Sequence, residues 1–303
     1  MEFVEGKLKE EKWFGEMVFP RTLLPSHGCE DGATTLSSPF HKHEGEETRL
    51  AEAVRANRVW LDEQLSRHGA ILFRGFDVRR AEDFRSVVEA FGWEEMDYGI
   101  GDETRSKVID RIYTANEAPP DLLIDFHHEM SPSLSAKACM LACEKQKSLL
   151  SLSALVDKRA SRNSKYLLSF MSVSTVMASW NSSGLSFMAL PKLGCNSVEF
   201  LEDGRAEFIY GPLNPIRTFQ GGCRVWFSTI VGYTGKLDDM SLGFGDGVPF
   251  PDEAIKNYRK IRDENNVNIR WEKGDILLVD NLAVQHARRP GKPTRIILAS
   301  LCK

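Results

Sequence analysis

The sequence predicts a β-sandwich or barrel decorated by helices, and three observations predict it. Two amphipathic helical patterns precede residue 92, many short apolar strand patterns follow residue 105, and turn residues punctuate them. The 303 residues allow one large domain or two modest ones. With 42% hydrophobic and 27% charged residues, such a chain can bury a core without disulfides or structural metals.

Residues 1–46 are polar and turn-rich, and they read as an extended N-terminal arm laid over the core; residues 47–303 read as a single domain. From Thr48 to Leu65, the residues Leu50, Val54, Leu61 and Leu65 share one helical face with Trp60 beside it. His68-Gly69 ends that helix, glycine being suited to a left-handed cap. Ala70-Ile71-Leu72-Phe73 reads as a buried strand. Phe84, Val87, Val88 and Phe91 then repeat at helical spacing. Strands are expected in VIDRIYTAN, AEFIYGPL, RVWFSTIVGY, GDILLVDNLAV and TRIILASL. A last helix, from Asp252 to Asp263, should turn Ile255, Tyr258 and Ile261 inward.

One segment departs from this pattern. Residues 145–190 hold twelve serines and a single acidic residue, Asp157, with no sustained period of 2 or 3.6. Serines compete for backbone hydrogen bonds, so irregular chain or short, weakly paired strands are expected there, as in a degraded middle section.

The formal charge of −4 gives no general attraction for nucleic acid or anionic lipid, and no apolar run has the roughly 20 residues of a spanning helix. The first residues lack a signal-peptide core, so a cytoplasmic protein without membrane or nucleic-acid partners is expected. Cys29, Cys139, Cys143, Cys195, Cys223 and Cys302 are scattered without metal-site spacing, and they read as reduced thiols.

The chemistry-bearing residues centre on Phe126-His127-His128-Glu129-Met130. In a strand, His127 and Glu129 would project from one face and His128 from the other. An imidazole and a carboxylate together are two thirds of a 2-His-1-carboxylate site for non-haem Fe(II). Taken alone, such a triplet is a common surface pair. The sequence has seven histidines, and only His286 lies downstream of the triplet; it sits after a buried strand and an Asp280-Asn281 turn. His41-Lys42-His43-Glu44 reads as a solvated loop, and Gly243–Gly247 as a turn before the last helix.

GAILFRGF at 69–76, FHHEM at 126–130 and GDILLVDNLAVQHARRP at 274–290 resemble the clavaminate synthase-like proteins, within the taurine dioxygenase superfamily of Fe(II)/2-oxoglutarate oxygenases. TANEAPPD at 114–121, VWF at 225–227, FGDG at 244–247 and the final LASLCK extend the match. The resemblance implies a double-stranded β-helix, or jelly roll, with His127, Glu129 and His286 as iron ligands and no catalytic side chain beyond them. It implies 2-oxoglutarate and O2 as co-substrates, and oxidation of a small-molecule C–H bond with release of succinate and CO2. The family's cofactor arginine falls at Arg295, where close relatives carry two arginines and this chain continues with Ile296. The family's Gly-Gly-x-Thr strand is missing from Cys143–Leu150. That departure defines the alternative: a non-catalytic jelly-roll remnant, the product of a damaged gene, that retains metal binding.

Overall fold

The computed structural model describes residues 3–26, 48–96, 106–115, 121–129, 138–145, 149–154, 171–177, 195–200, 202, 206–213, 216–218, 224–226, 240–291 and 296–303. Within them the protein is mainly β, with four helices: α1 (Arg49–Ala56), α2 (Arg58–His68), α3 (Ala81–Phe91) and α4 (Asp252–Glu264). No helix among the described residues is long and apolar enough to cross a membrane.

The predicted helical face is real, but the helix is two. Thr48 caps α1 by accepting the Ala51 N–H on its hydroxyl, and Leu50, Val54, Leu61 and Leu65 are all buried. The break falls at Asn57, whose side-chain amide bonds the Ala53 carbonyl at 2.8 Å, in competition with continued helix. Gly69 ends α2 in the left-handed conformation (φ 71°), and a Cβ there would lie 2.8 Å from Val284 Cγ2. Phe84, Val87, Val88 and Phe91 of α3 are fully buried.

These helices cover one face of an eight-stranded sheet. Its central strands are Ala70–Phe73, Ile276–Asp280, Ala138–Lys145 and Ile296–Cys302, hydrogen-bonded in that order. The N-terminal segment expected as an arm is extended and joins this sheet: Arg21–Pro25 runs parallel to Ala70–Phe73, and Phe3–Glu5 pairs outside it. Arg74 and Asp275 clamp two central strands at their ends through a bidentate pair of 3.0 and 2.7 Å.

Behind the opposite face lies a four-stranded sheet, ordered Asn266–Arg270, Leu149–Ala154, Val284–Arg288, Ile124–His127. One apolar cluster joins the two sheets: Leu72, Leu277, Val279, Ile297, Ala299 and Leu301 from the large sheet meet Leu150, Leu152, Val267, Ile269 and Val284 from the small one. Each such side chain removed from water contributes on the order of 1.5–3 kcal/mol.

The serine-rich segment corrects the expectation of irregular chain at two places. Leu149–Ala154 is paired on both sides, with Asn266–Arg270 and with Val284–Arg288. Met171–Met177 is central in a further four-stranded sheet, between Ala206–Leu213 and Met240–Phe244. The first has a plain cause: Leu150 and Leu152 alternate with serines, and burial of the leucines fixes the register. The rest of 145–190 beyond Lys145, like His41–Glu44 and Arg295, lies outside the described residues. The turn expected at 243–247 is present, with Gly247 at φ 84° and Phe244 N–H bonded to the Val248 carbonyl at 2.8 Å.

In α4 the inward face differs from the one predicted. Ile255 is buried, but Ile261 is 45% exposed, and Arg262 is buried in its place at 9%. The cause is electrostatic: Arg262 reaches the Asp125 carboxylate on the Ile124–His127 strand.

Candidate metal centre

The two histidine-bearing strands are neighbours, and His127 and His286 are direct cross-strand partners. Their side chains fall on one face, with ring centroids 4.4 Å apart. That face is the one turned toward the large sheet, since Val284 and Leu152, which alternate or pair with His286, belong to the shared apolar cluster.

Glu129 completes the group by a route that strand alternation does not describe. The strand ends at His127, and Glu129 sits in the turn beyond it. Its backbone is gripped by the fully buried side-chain amide of Asn281: the Glu129 N–H donates to Asn281 Oδ1 at 2.7 Å, and Asn281 Nδ2 donates to the Glu129 carbonyl at 2.9 Å. The carboxylate thereby comes within 3.3 Å of His286 Nε2 and 3.7 Å of His127 Nε2. Among the described residues, these three form the group of side chains spaced to hold a metal ion, their ligating atoms all within 4.8 Å of one another.

The donor set fits a divalent cation. Two ligands bonded at about 2.1 Å and set at right angles stand roughly 3 Å apart, and the two contacts to Glu129, 3.3 and 3.7 Å, are close to that. All three side chains are at most 13% exposed, where a carboxylate facing two imidazoles gains from a shared positive charge. The His127 ring is oriented through Nδ1, which lies 2.8 Å from the Asp125 carbonyl; a carbonyl can only accept, so Nδ1 carries the proton and Nε2 is the nitrogen turned to Glu129. The strand pairing is irregular between His286 and Arg288, across residues 125–126, the kind of interruption that re-aims neighbouring groups.

His128 is turned away, as strand geometry suggests. It is 2% exposed and its Nδ1 lies 3.4 Å from Gln285 Nε2, on the other face of the sheet. Ile296 packs against the helix-side cluster, while Ile297 belongs to the cluster between the sheets, so position 296 faces away from the histidines. Arg295 lies outside the described residues.

Asn281, Asp125, Gln285 and Arg262 support the group; the Asp280-Asn281 turn marks the first in the sequence, and the other three carry no local signal of this role. Arg288, two residues beyond His286 on the same strand, is also buried (8%) and donates to the Leu122 carbonyl at 3.1 Å.

The sequence matches the taurine catabolism dioxygenase TauD, TfdA family over residues 35–161 and 221–301. It is 32% identical to a clavaminate synthase-like protein of Arabidopsis thaliana, covering 99% of this chain and 98% of that one. The fold is similar to PvcB of Pseudomonas aeruginosa, an Fe, alpha-ketoglutarate dependent oxygenase from an isonitrile synthetic pathway, with TM-score 0.54, 13% identity and coverage of 94% and 86%. It is equally similar to AAD-2, solved in complex with Mn(II) and N-oxalylglycine, with TM-score 0.54, 9% identity and coverage of 100% and 97%.

Proposed function

The chain belongs to the taurine catabolism dioxygenase TauD, TfdA family, and on that premise we propose that it is an Fe(II)/2-oxoglutarate-dependent oxygenase acting on a small molecule. The observation that carries this reading is the convergence of His127 Nε2, His286 Nε2 and Glu129 Oε2 on one buried point. In it the two sheets are the walls of a double-stranded β-helix, and His127, Glu129 and His286 are the metal ligands.

Bound Fe(II) would supply the redox chemistry by which O2 and 2-oxoglutarate yield succinate, CO2 and an oxidised substrate C–H bond. The chain's own part is to bind and to orient. Three protein ligands on one side leave the remaining coordination positions to small molecules. Asn281 holds the backbone of Glu129, and the Asp125 carbonyl fixes the tautomer of His127. The apolar cluster beneath, with Leu152 paired directly to His286, excludes water from the inner side. Arg295 is the candidate partner for the far carboxylate of 2-oxoglutarate, a role suited to a planar guanidinium.

A second reading is favoured by one observation. Where the family carries Gly-Gly-x-Thr, this chain has Cys143–Leu150 without glycine or threonine. The described strand Leu149–Ala154 buries Leu150 and Leu152 on the side that pairs with His286. A remnant that binds metal without turnover would have this wall. Anaerobic loading with Fe(II) and 2-oxoglutarate, followed by O2 and measurement of succinate, separates the two. Succinate formation that disappears in His286→Ala and Glu129→Ala is the expected result. Stoichiometric Fe(II) binding with no succinate, even at high 2-oxoglutarate, leaves the remnant.

A further inference from the structure

We propose that α4 braces the metal centre from behind, with Arg262 acting through Asp125 and Tyr258 acting through Gln285, so that these two side chains are positioning residues that set metal affinity. The inference rests on His127, Glu129 and His286 being the ligands.

Each half of the brace ends beside a histidine. On the first strand, Arg262 Nη1 donates to both Asp125 carboxylate oxygens at 3.0 and 2.9 Å, and its guanidinium lies over the Phe126 ring at 5.1 Å. The same Asp125 accepts the Phe126 N–H on its carboxylate at 2.8 Å and faces the His127 ring with its carbonyl at 2.8 Å. Residue 125 is therefore held by its side chain while its carbonyl orients the ligand. On the second strand, Tyr258 donates its hydroxyl to Gln285 Oε1 at 2.6 Å, and Gln285, fully buried, immediately precedes His286. Gln285 also faces His128 at 3.4 Å, which ties the two strands together on their outer face. Burial pushes the Tyr258 phenol pKa up, so it remains a donor across the ordinary pH range.

The spacing of the two contacts suits the job. Tyr258 and Arg262 are four residues apart, about 6 Å along one face of a helix, and adjacent strands lie about 4.8 Å apart. One turn of α4 thus spans both ligand strands. The apolar side of α4 packs elsewhere, Ile255 against Phe250 with Tyr258 partly against that cluster. The polar pair instead contacts the residues beside the histidines. Partners that hydrogen-bond a ligand directly are worth about 10- to 100-fold in metal affinity, which bounds from above what Arg262 and Tyr258 contribute one bond further out.

The test is equilibrium dialysis with Co(II), whose visible absorption reports ligand geometry, on the full chain. Wild-type protein should bind one equivalent, and Glu129→Ala should not; wild-type binding unaffected by Glu129→Ala would overturn the metal centre and the brace with it. Tyr258→Phe should weaken Co(II) binding about 10-fold and Arg262→Gln about 10- to 100-fold, each with an altered absorption spectrum. Arg262→Lys should recover part of the loss. Thermal unfolding of the metal-free proteins separates positioning from folding, and if Arg262→Gln fails to fold, Tyr258→Phe and Arg262→Lys carry the test. Wild-type affinity and spectrum in both folded variants would overturn the brace while leaving the metal centre standing.

Discussion

The two sheets that share a core are built from different materials. In the large sheet, Ala70–Phe73 and Ile276–Val279 are fully buried with apolar side chains on both faces, one face under the helices and the other against the small sheet. In the small sheet, Gln285, His286 and Arg288 are buried and His127 nearly so, with His128, Glu129 and Asn281 buried in the turns at its edge. The first gains stability from every buried methylene. The second holds groups whose burial is unfavourable without partners: Asp125 faces His127, Asn281 holds Glu129, Gln285 faces His128 and Tyr258, Glu129 faces His286, and the Leu122 carbonyl accepts from Arg288. Stability is concentrated on one wall and specific geometry on the other. Substitutions in the two walls should accordingly move different observables.

The largest effect on stability belongs to the apolar wall. Phe84→Ala, at a fully buried site under the large sheet, should cost about 3–5 kcal/mol in urea unfolding. Its metal affinity, measured on folded protein, should be unchanged; a parallel loss of affinity would dissolve the distinction between the walls. Asn281→Ala comes next. It leaves the Glu129 N–H and carbonyl without the amide that now binds them, at roughly 1–3 kcal/mol for a buried orphan. Here metal affinity should fall along with stability, and dialysis of the folded variant checks it. An Asn281→Ala protein with wild-type metal binding would show that the turn holds Glu129 without help.

The smallest effect is a pH dependence that involves none of the candidate metal ligands. His68, buried at the end of α2 and facing the Val18 carbonyl at 2.7 Å, has its pKa lowered chiefly by burial. Its folded value lies below the unfolded value of about 6.5, so the folded protein binds fewer protons. The stability it confers is present above about pH 6.5 and is lost as pH falls through the folded value. His68→Gln should flatten the acid side of the curve in urea titrations between about pH 7.5 and 5. A slope identical to wild type would assign the acid sensitivity to other groups.

Much of this was legible from residue patterns, and the failures have physical causes. The faces of α1, α2 and α3 and the strand Ala70–Phe73 follow from apolar periodicity, which burial enforces. The break at Asn57 was hidden because one side-chain hydrogen bond outweighs an unbroken pattern. Ile261 was assigned inward by hydrophobicity, but an ion pair with Asp125, distant in sequence, turned Arg262 there instead. Leu149–Ala154 was obscured by the serines around it, although the alternation of Leu150 and Leu152 was present. The grouping of His127 with Glu129 came from strand parity, whereas the structure achieves it with a turn and Asn281. Pairing of His127 with His286 is a long-range contact that only the resemblance could supply.

The grip of Asn281 on Glu129 has a kinetic meaning. An unrestrained glutamate at a turn samples many backbone and side-chain states, and a metal would have to wait for the right one. Two hydrogen bonds to the Glu129 backbone, from a side chain with no exposure, remove most of that search while the protein folds. On the proposed reading the backbone of Glu129 is pre-organised, so capture of an ion would require less rearrangement of the chain. The Glu129 amide, although it lies in a turn, should then exchange with deuterium as slowly as a core strand even before any metal is added.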